Sequence, residues 1–143
     1  MVKLIALASD HGGYDLKEFL REHLLNQKIK FIDLGTNNQD SVDYPDFAHS
    51  LAVSLRKREA DVGILICGTG IGVSIAANRF KHIRAALVQD TKTAKLSRQH
   101  NDANVIVFGG RIINFHTAKE SLDVFLRTDF DGGRHQKRLD KIL

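Results

Sequence analysis

Short apolar runs alternate along this chain with longer stretches in which apolar and polar residues are interleaved. The apolar runs are Val2–Ala8, Ile29–Leu34, Val62–Ile66, Ile83–Val88 and Asn104–Phe108. They are rich in Ile, Leu and Val with little alternation, the pattern of strands buried on both faces of a parallel sheet. The interleaved stretches predict helices over Tyr14–Asn26, Tyr44–Lys57, Ile71–Phe80, Thr91–His100 and Asn114–Leu126. In the first of these, Leu16, Phe19, Leu20 and Leu24 fall at helical spacing. A last short helix is expected near Gln136–Ile142, after the Gly132-Gly133 turn, and the single proline, Pro45, is read as loop. No linker, repeat or low-complexity segment interrupts the pattern. The βαβα order predicts one doubly wound α/β domain over residues 1–143, with a sheet of about five parallel strands.

Composition narrows the function classes. The hydrophobic fraction of 43% and charged fraction of 27% are ordinary for a soluble globular chain. No apolar run approaches the roughly 18 residues of a membrane span. The N-terminal MVKLIALASDHGG has too short an apolar run for a secretory signal and leads into a strand-to-helix turn, so a cytoplasmic location is expected. The formal net charge of +4 raises nucleic acid as a partner, but Lys and Arg are mixed with Asp and Glu and no basic block carries interleaved aromatics. A mild positive balance instead suits an anionic metabolite. One cysteine excludes an internal disulfide and a cysteine-rich metal site, and the seven histidines form no H-x-x-x-H pair, so no metal is expected.

Ligands of such sheets sit beyond the carboxyl ends of the strands. There the sequence places Ser9, Asp10, His11, Gly12 and Gly13, then Gly35 and Thr36, then Cys67-Gly68-Thr69-Gly70-Ile71-Gly72, then Asp90, then Gly109, Gly110 and Arg111. The CGTGIG loop between a strand and a helix start can turn several main-chain N–H groups toward one anion. A thiol at a helix N-terminus is biased toward thiolate, although lone cysteines are most often inert core residues. The loop is not a dinucleotide fingerprint, which would need glycine where Val73 stands, and no Walker lysine is present. Asp90, about 20 residues on, keeps open a non-catalytic nucleotide-binding domain in which it would hold a ribose.

Other candidates have competing structural readings. Asp10 is placed to cap a helix that starts near Gly13, while His11 is suited to donate to a phosphate or move a proton. Arg111 follows a strand end, and Arg134 and Arg138 share a helical face; each can clamp a phosphate through paired donors, or be solvated surface charge. His100 and Asn101 close a helix at the amino edge of the sheet, where helix termination explains them. For His100 to be catalytic it must serve the site of another subunit.

The segments SDHGGYDLKEFL, DLGT, SVDYPDFA, GILICGTGIGVSIAAN, IRAALVQD, AKLSRQHNDANV, FGGRII and GGRHQKRLDKI together resemble the ribose-5-phosphate isomerase B family, from residue 3 to residue 142. The same superfamily includes galactose-6-phosphate isomerase subunits and allose-6-phosphate isomerase activity. The resemblance implies a Rossmann-like, three-layer α/β fold with a five-stranded parallel sheet, and an aldose–ketose isomerase that needs neither metal nor cofactor. It implies interconversion of ribose 5-phosphate and ribulose 5-phosphate through a cis-enediolate, with a six-carbon aldose 6-phosphate as the alternative substrate. By position Cys67 matches the base and His100 the ring-opening residue, with Asp10 nearby. Gly68, Thr69, Gly70, Ile71 and Gly72 match the loop that stabilises the enediolate. Tyr44 and Asn101 match sugar contacts, and His11, Arg111, Arg134 and Arg138 the phosphate set. One branch of the family uses a glutamate base where this chain has Val73, so the presence of Cys67 places it in the cysteine branch. The resemblance also implies a homodimer or homotetramer with shared sites and the tail 128–143 at a subunit interface.

Overall fold

The computed structural model describes residues 4–142. Five strands, β1 (Ile5–Ser9), β2 (Phe31–Asp33), β3 (Val62–Cys67), β4 (Ala85–Leu87) and β5 (Val105–Gly109), form one sheet in the order β2-β1-β3-β5-β4. All pairings are parallel, and in register Ile5 lies opposite Val62, and Cys67 opposite Gly109. Between and after the strands run α1 (Tyr14–Asn26), α2 (Tyr44–Arg56), α3 (Ile71–Ala77), α4 (Thr91–Gln99), α5 (Phe115–Arg127) and α6 (Arg134–Leu139). This is the expected α/β fold, Rossmann-like and layered helix–sheet–helix. No helix among the described residues is long and apolar enough to cross a membrane.

The two faces of the sheet differ in side-chain size. Ile5, Leu7, Ile64, Ile66, Ile106 and Phe108 face a core shared with α1, α4 and α5. Ala6, Ala8, Leu65, Cys67, Val105 and Val107 face α2 and α3. Small residues on the second face let α2 approach closely: a Cβ on Gly63 would stand 2.7 Å from Leu51 Cδ2. Both faces are covered, which is why the strands read as unbroken apolar runs.

The element limits depart from the sequence reading where side-chain hydrogen bonds or edge position decide them. The edge strands β2 and β4 keep only three residues each, because apolar residues beyond the paired rungs, such as Ile29 and Ile83, pack on the core without a ladder. Helix α3 stops at Ala77, short of the expected Phe80. Asn78 ends it by donating from Nδ2 to Ala85 O at 3.0 Å and accepting from Ala85 N at 2.8 Å, which also fixes β4. Helix α6 starts at Arg134, directly after Gly133 (φ +55°), rather than at Gln136. Pro45 lies in the first turn of α2 and not in a loop; there its missing N–H has no helical partner to lose. The first strand is described from Ile5, and Val2 and Lys3 lie outside the described residues.

On α1, Leu16, Leu20 and Leu24 are buried as the spacing predicts, but Phe19 is 39% exposed and packs its ring on Phe115. Lys17 takes an inward place instead. Its fully buried ammonium meets Asp33 at 2.8 Å and Glu18 at 2.9 Å. Asp33 in turn accepts from Gly35 N, and Gly35 O accepts from Ser9 N. A charge paired this way is tolerated inside, and it ties the β2 turn to the end of β1.

Candidate active site

Cys67 is the last residue of β3, and 5% of it is exposed. Its Sγ accepts a hydrogen bond from Gly70 N at 3.1 Å. Gly70 has φ of +80°, and a Cβ there would stand 2.5 Å from Leu87 and 3.0 Å from the Phe108 carbonyl carbon, so only glycine fits. The next amide, Ile71 N, donates to Thr69 Oγ1 at 3.2 Å. The CGTGIG segment is therefore a compact turn folded around the sulfur, with α3 rising from it.

Two neighbouring strand ends close on this turn through backbone contacts. Asp10 N donates to Ile66 O at 3.2 Å, and Asp10 Oδ1 accepts from Gly13 N at 3.1 Å, capping the 3₁₀ turn His11–Gly13. Gly110 N donates to Cys67 O at 2.8 Å and Arg111 N to Gly68 O at 3.0 Å. A Cβ on Gly12 would lie 2.9 Å from Gly68 N, and one on Gly109 2.5 Å from Thr69 O. The absence of side chains is thus what lets three loops meet. Arg111 lies over the turn, with one terminal nitrogen 3.4 Å from the Cβ position of Gly68. His11 Nδ1 accepts from Val42 N at 3.2 Å, so the neutral ring carries its proton on Nε2 and presents a donor there. Tyr44, at the start of α2, packs its ring 2.7 Å from the Cβ position of Gly72. Asp10, His11, Tyr44, Cys67 to Gly72 and Arg111 are thereby brought to one edge.

His100, Asn101, Arg134 and Arg138 are not at that edge. Helix α4 starts beside the carboxyl ends of the strands and returns to the amino side, so His100 precedes β5. The strand between the two edges spans about 13 Å. His100 and Asn101 line a cavity of about 350 Å³ with Arg134, His135 and Arg138. A cleft of about 710 Å³ adjoins it through Asn101, Leu139 and Ile142. Cys67 lines neither of these two.

His135 stacks on His100 with ring centroids 4.3 Å apart and planes 14° from parallel. Burial, and then the charges of His100, Arg134 and Arg138, hold the His135 ring below its ordinary pKa, against the pull of Asp131. No spacing rule could have paired residues 100 and 135, since the contact depends on how the C-terminal arm folds back. His100, His135 and Asp131 bring ligand atoms within 4.8 Å of one another, a grouping that the histidine spacing did not reveal. The stack suits a cation poorly. Imidazole lone pairs lie in the ring planes, and two nearly parallel planes do not converge on one ion, while Arg134 and Arg138 oppose its charge.

Asp90 is also accounted for. Its Oδ1 accepts from Thr93 N and Thr93 Oγ1, both at 2.7 Å, and these bonds hold its carboxyl below the usual range. It caps α4, and the ribose-binding reading loses its acid.

The Ribose/Galactose Isomerase family matches residues 5–142. Ribose-5-phosphate isomerase B of Escherichia coli (strain K12) is 45% identical over 141 residues, covering 99% of this chain and 95% of that one. A Thermotoga maritima ribose 5-phosphate isomerase has a crystal structure that superposes with a TM-score of 0.97 at 49% identity, covering 99% of this chain and 97% of that one. Ribose-5-phosphate isomerase B from Mycoplasma genitalium, with ribulose-5-phosphate bound, gives a TM-score of 0.91 at 46% identity, covering 96% and 92%. A profile match over nearly the whole chain, with near-coincident folds at such identity, places the chain in the ribose/galactose isomerase family.

Proposed function

We propose that this chain interconverts ribose 5-phosphate and ribulose 5-phosphate. The observation that carries this reading is Cys67 Sγ accepting from Gly70 N inside the CGTGIG turn, in a chain 46% identical to a protein whose structure holds ribulose-5-phosphate. In its thiolate form Cys67 takes the C2 proton of the open-chain aldose and returns it at C1. The electron pair left at C2 forms the C1=C2 bond of the enediolate and the charge passes to O1; the O2 proton then transfers to O1, so that protonation at C1 leaves the C2 carbonyl of the ketose. The amides of Gly68 to Gly72, with Thr69, take that charge; Gly70 N and Ile71 N, held in the free chain by Cys67 Sγ and Thr69 Oγ1, turn to it as it develops. Asp10 and His100 open the furanose ring. Tyr44 and Asn101 contact the sugar, and His11, Arg111, Arg134 and Arg138 take the phosphate, whose binding energy serves to orient the reacting carbons.

These roles require two chains, because His100, Asn101 and the α6 arginines stand at the sheet edge opposite Cys67. The proposed active form is a homodimer or homotetramer, with residues 128–143 at the interface. Apolar surface at both edges supports this: Ile71 and Ile75 on α3 are each 54% exposed, and Ile142, beside the His100 cavity, 64%. Such surface is what a second copy would cover.

The test is the purified protein, without added metal or cofactor, incubated with ribose 5-phosphate in D₂O. Interconversion with exchange at C2 is expected. Cys67→Ser keeps an acceptor for Gly70 N, so sugar-phosphate binding survives while exchange falls by about 10²–10⁴-fold. Unchanged exchange in that variant would end the base assignment. Turnover of allose 6-phosphate, measured alongside, decides the sugar preference.

A further inference from the structure

The turn that carries His100 and Asn101 is held by two arginines to which neither the sequence motifs nor the proposed chemistry gives a role. Helix α4 ends at Gln99, and Asp102 leads the chain toward β5 with φ of +45°, a region unfavourable for a residue with a side chain. Arg84, just ahead of β4, donates from Nε to Asn101 O at 3.1 Å and to Asp102 O at 2.9 Å, and from Nη2 to Asp102 Oδ2 at 3.3 Å. Arg98, on the last turn of α4 and 8% exposed, donates from Nη1 to Asp102 Oδ1 at 3.0 Å and to Ala103 O at 2.5 Å. Three consecutive carbonyls, and both oxygens of the Asp102 carboxylate, are thus taken by two guanidinium groups.

Arg98 reaches further. Its Nε donates to Thr128 O at 3.1 Å, where the C-terminal arm leaves α5, and its guanidinium sits 5.6 Å from the Phe125 ring centroid. Asp131 N donates to Gln99 O at 3.1 Å, a second tie between the arm and the end of α4. The arm then runs into α6, which carries Arg134, Arg138 and the His135 that stacks on His100. One buried cation therefore serves as the reference point for both the His100 turn and the arginine-bearing arm. Stability alone does not account for this: apolar residues in place of such a pair are often as stabilising, and here Arg98 is buried while the Asp102 side chain is 35% exposed.

We propose that Arg98 and Arg84, acting through Asp102, are positioning residues that hold His100 and Asn101 in fixed relation to Arg134 and Arg138. The groups that one subunit lends to the site then arrive as a rigid unit. The proposal rests on the roles given above to His100 and the α6 arginines.

Arg98→Lys tests it, because an ammonium keeps the charge and loses the planar fork that spans Asp102, Ala103 and Thr128. Two readouts are needed. One is turnover of ribose 5-phosphate, a furanose that must be opened. The other is exchange of the C1 protons of ribulose 5-phosphate with D₂O. That ketose has its C5 hydroxyl phosphorylated, so it cannot close the ring and needs only the Cys67 step. The expected result for Arg98→Lys is a kcat on ribose 5-phosphate lower by on the order of tenfold to a hundredfold, with KM raised for both sugars. At saturating ribulose 5-phosphate its C1 exchange stays within about threefold of wild type. Thermal unfolding establishes that the variant is folded; if it is not, Arg84→Lys takes its place with the same readouts. Equal losses in both readouts, no loss in either, or failure of both variants to fold overturns the positioning role. His100→Asn, assayed in parallel, separates the two levels. If it turns over ribose 5-phosphate normally, the ring-opening assignment fails. If it is impaired while the arginine variants match wild type, only the positioning role fails.

Discussion

Cys67 ends β3 and, through its sulfur, accepts from the amide of Gly70 in the middle of the glycine turn. One atom thus joins the sheet to the chemistry, and its position is set by the ladder that pairs Cys67 with Gly109. His100 stands at the end of α4, and its ring stacks on His135. His100→Asn should slow turnover of cyclic ribose 5-phosphate more than C1 exchange of open-chain ribulose 5-phosphate; equal effects would sink the ring-opening role. His135 adds a pH dependence. Its folded-state pKa is lowered by burial and by neighbouring positive charge, so the unfolded chain binds a proton first as pH falls below about 6.5. Stability carried by the neutral ring is present above that pH and is lost as pH falls through the folded value. His135→Phe keeps an aromatic stack and removes the titration. Thermal unfolding followed from pH 7 to pH 5 should show a shallower loss for this variant than for wild type, and parallel curves would refute the assignment.

At the scale of elements, the site depends on loops that touch backbone to backbone. Gly109 shows this best, since a Cβ there would enter the Thr69 carbonyl at 2.5 Å. Gly109→Ala should push the glycine turn off β5, cost about 1–3 kcal/mol of stability by overpacking, and abolish exchange at C2. A variant with wild-type exchange and unfolding would show that the turn can yield. The same loops show how much the sequence reveals. The gathering of the carboxyl-edge candidates was legible from topology, because strand ends in a parallel sheet bring their following loops together whatever the details. Helix α1 was legible to both of its ends, Tyr14 and Asn26, from leucine spacing. Helix α3 was over-read because the Asn78–Ala85 bonds that end it join residues in different elements. Arg98, His135 and Asp131 were invisible as a group for a stronger form of the same reason: Arg98 meets Thr128 30 residues away, through an arm with no periodic pattern of its own.

For the molecule as a whole, the decisive fact is that one chain carries its two sets of candidate groups at opposite edges of the sheet. Complementation tests whether two chains share them. Cys67→Ser and His100→Asn are each expected to be inactive alone. Mixed under conditions that exchange subunits, half of the dimers pair the two variants, and each such dimer has one intact site, so about a quarter of wild-type activity should return. No recovery, with exchange shown by mass, would place the whole site within one chain. If two chains share the site as proposed, catalysis also becomes a property of concentration. On the proposed roles a lone subunit would hold the base without the ring opener, so dilution below the dissociation constant of the dimer should extinguish activity even though every chain stays folded. A sugar phosphate bridging both proposed halves would bind only the associated form, so by mass action it would tighten that association. The substrate would thereby act as a clasp on its own enzyme, and the dilution at which activity fails should shift downward as the sugar phosphate is raised.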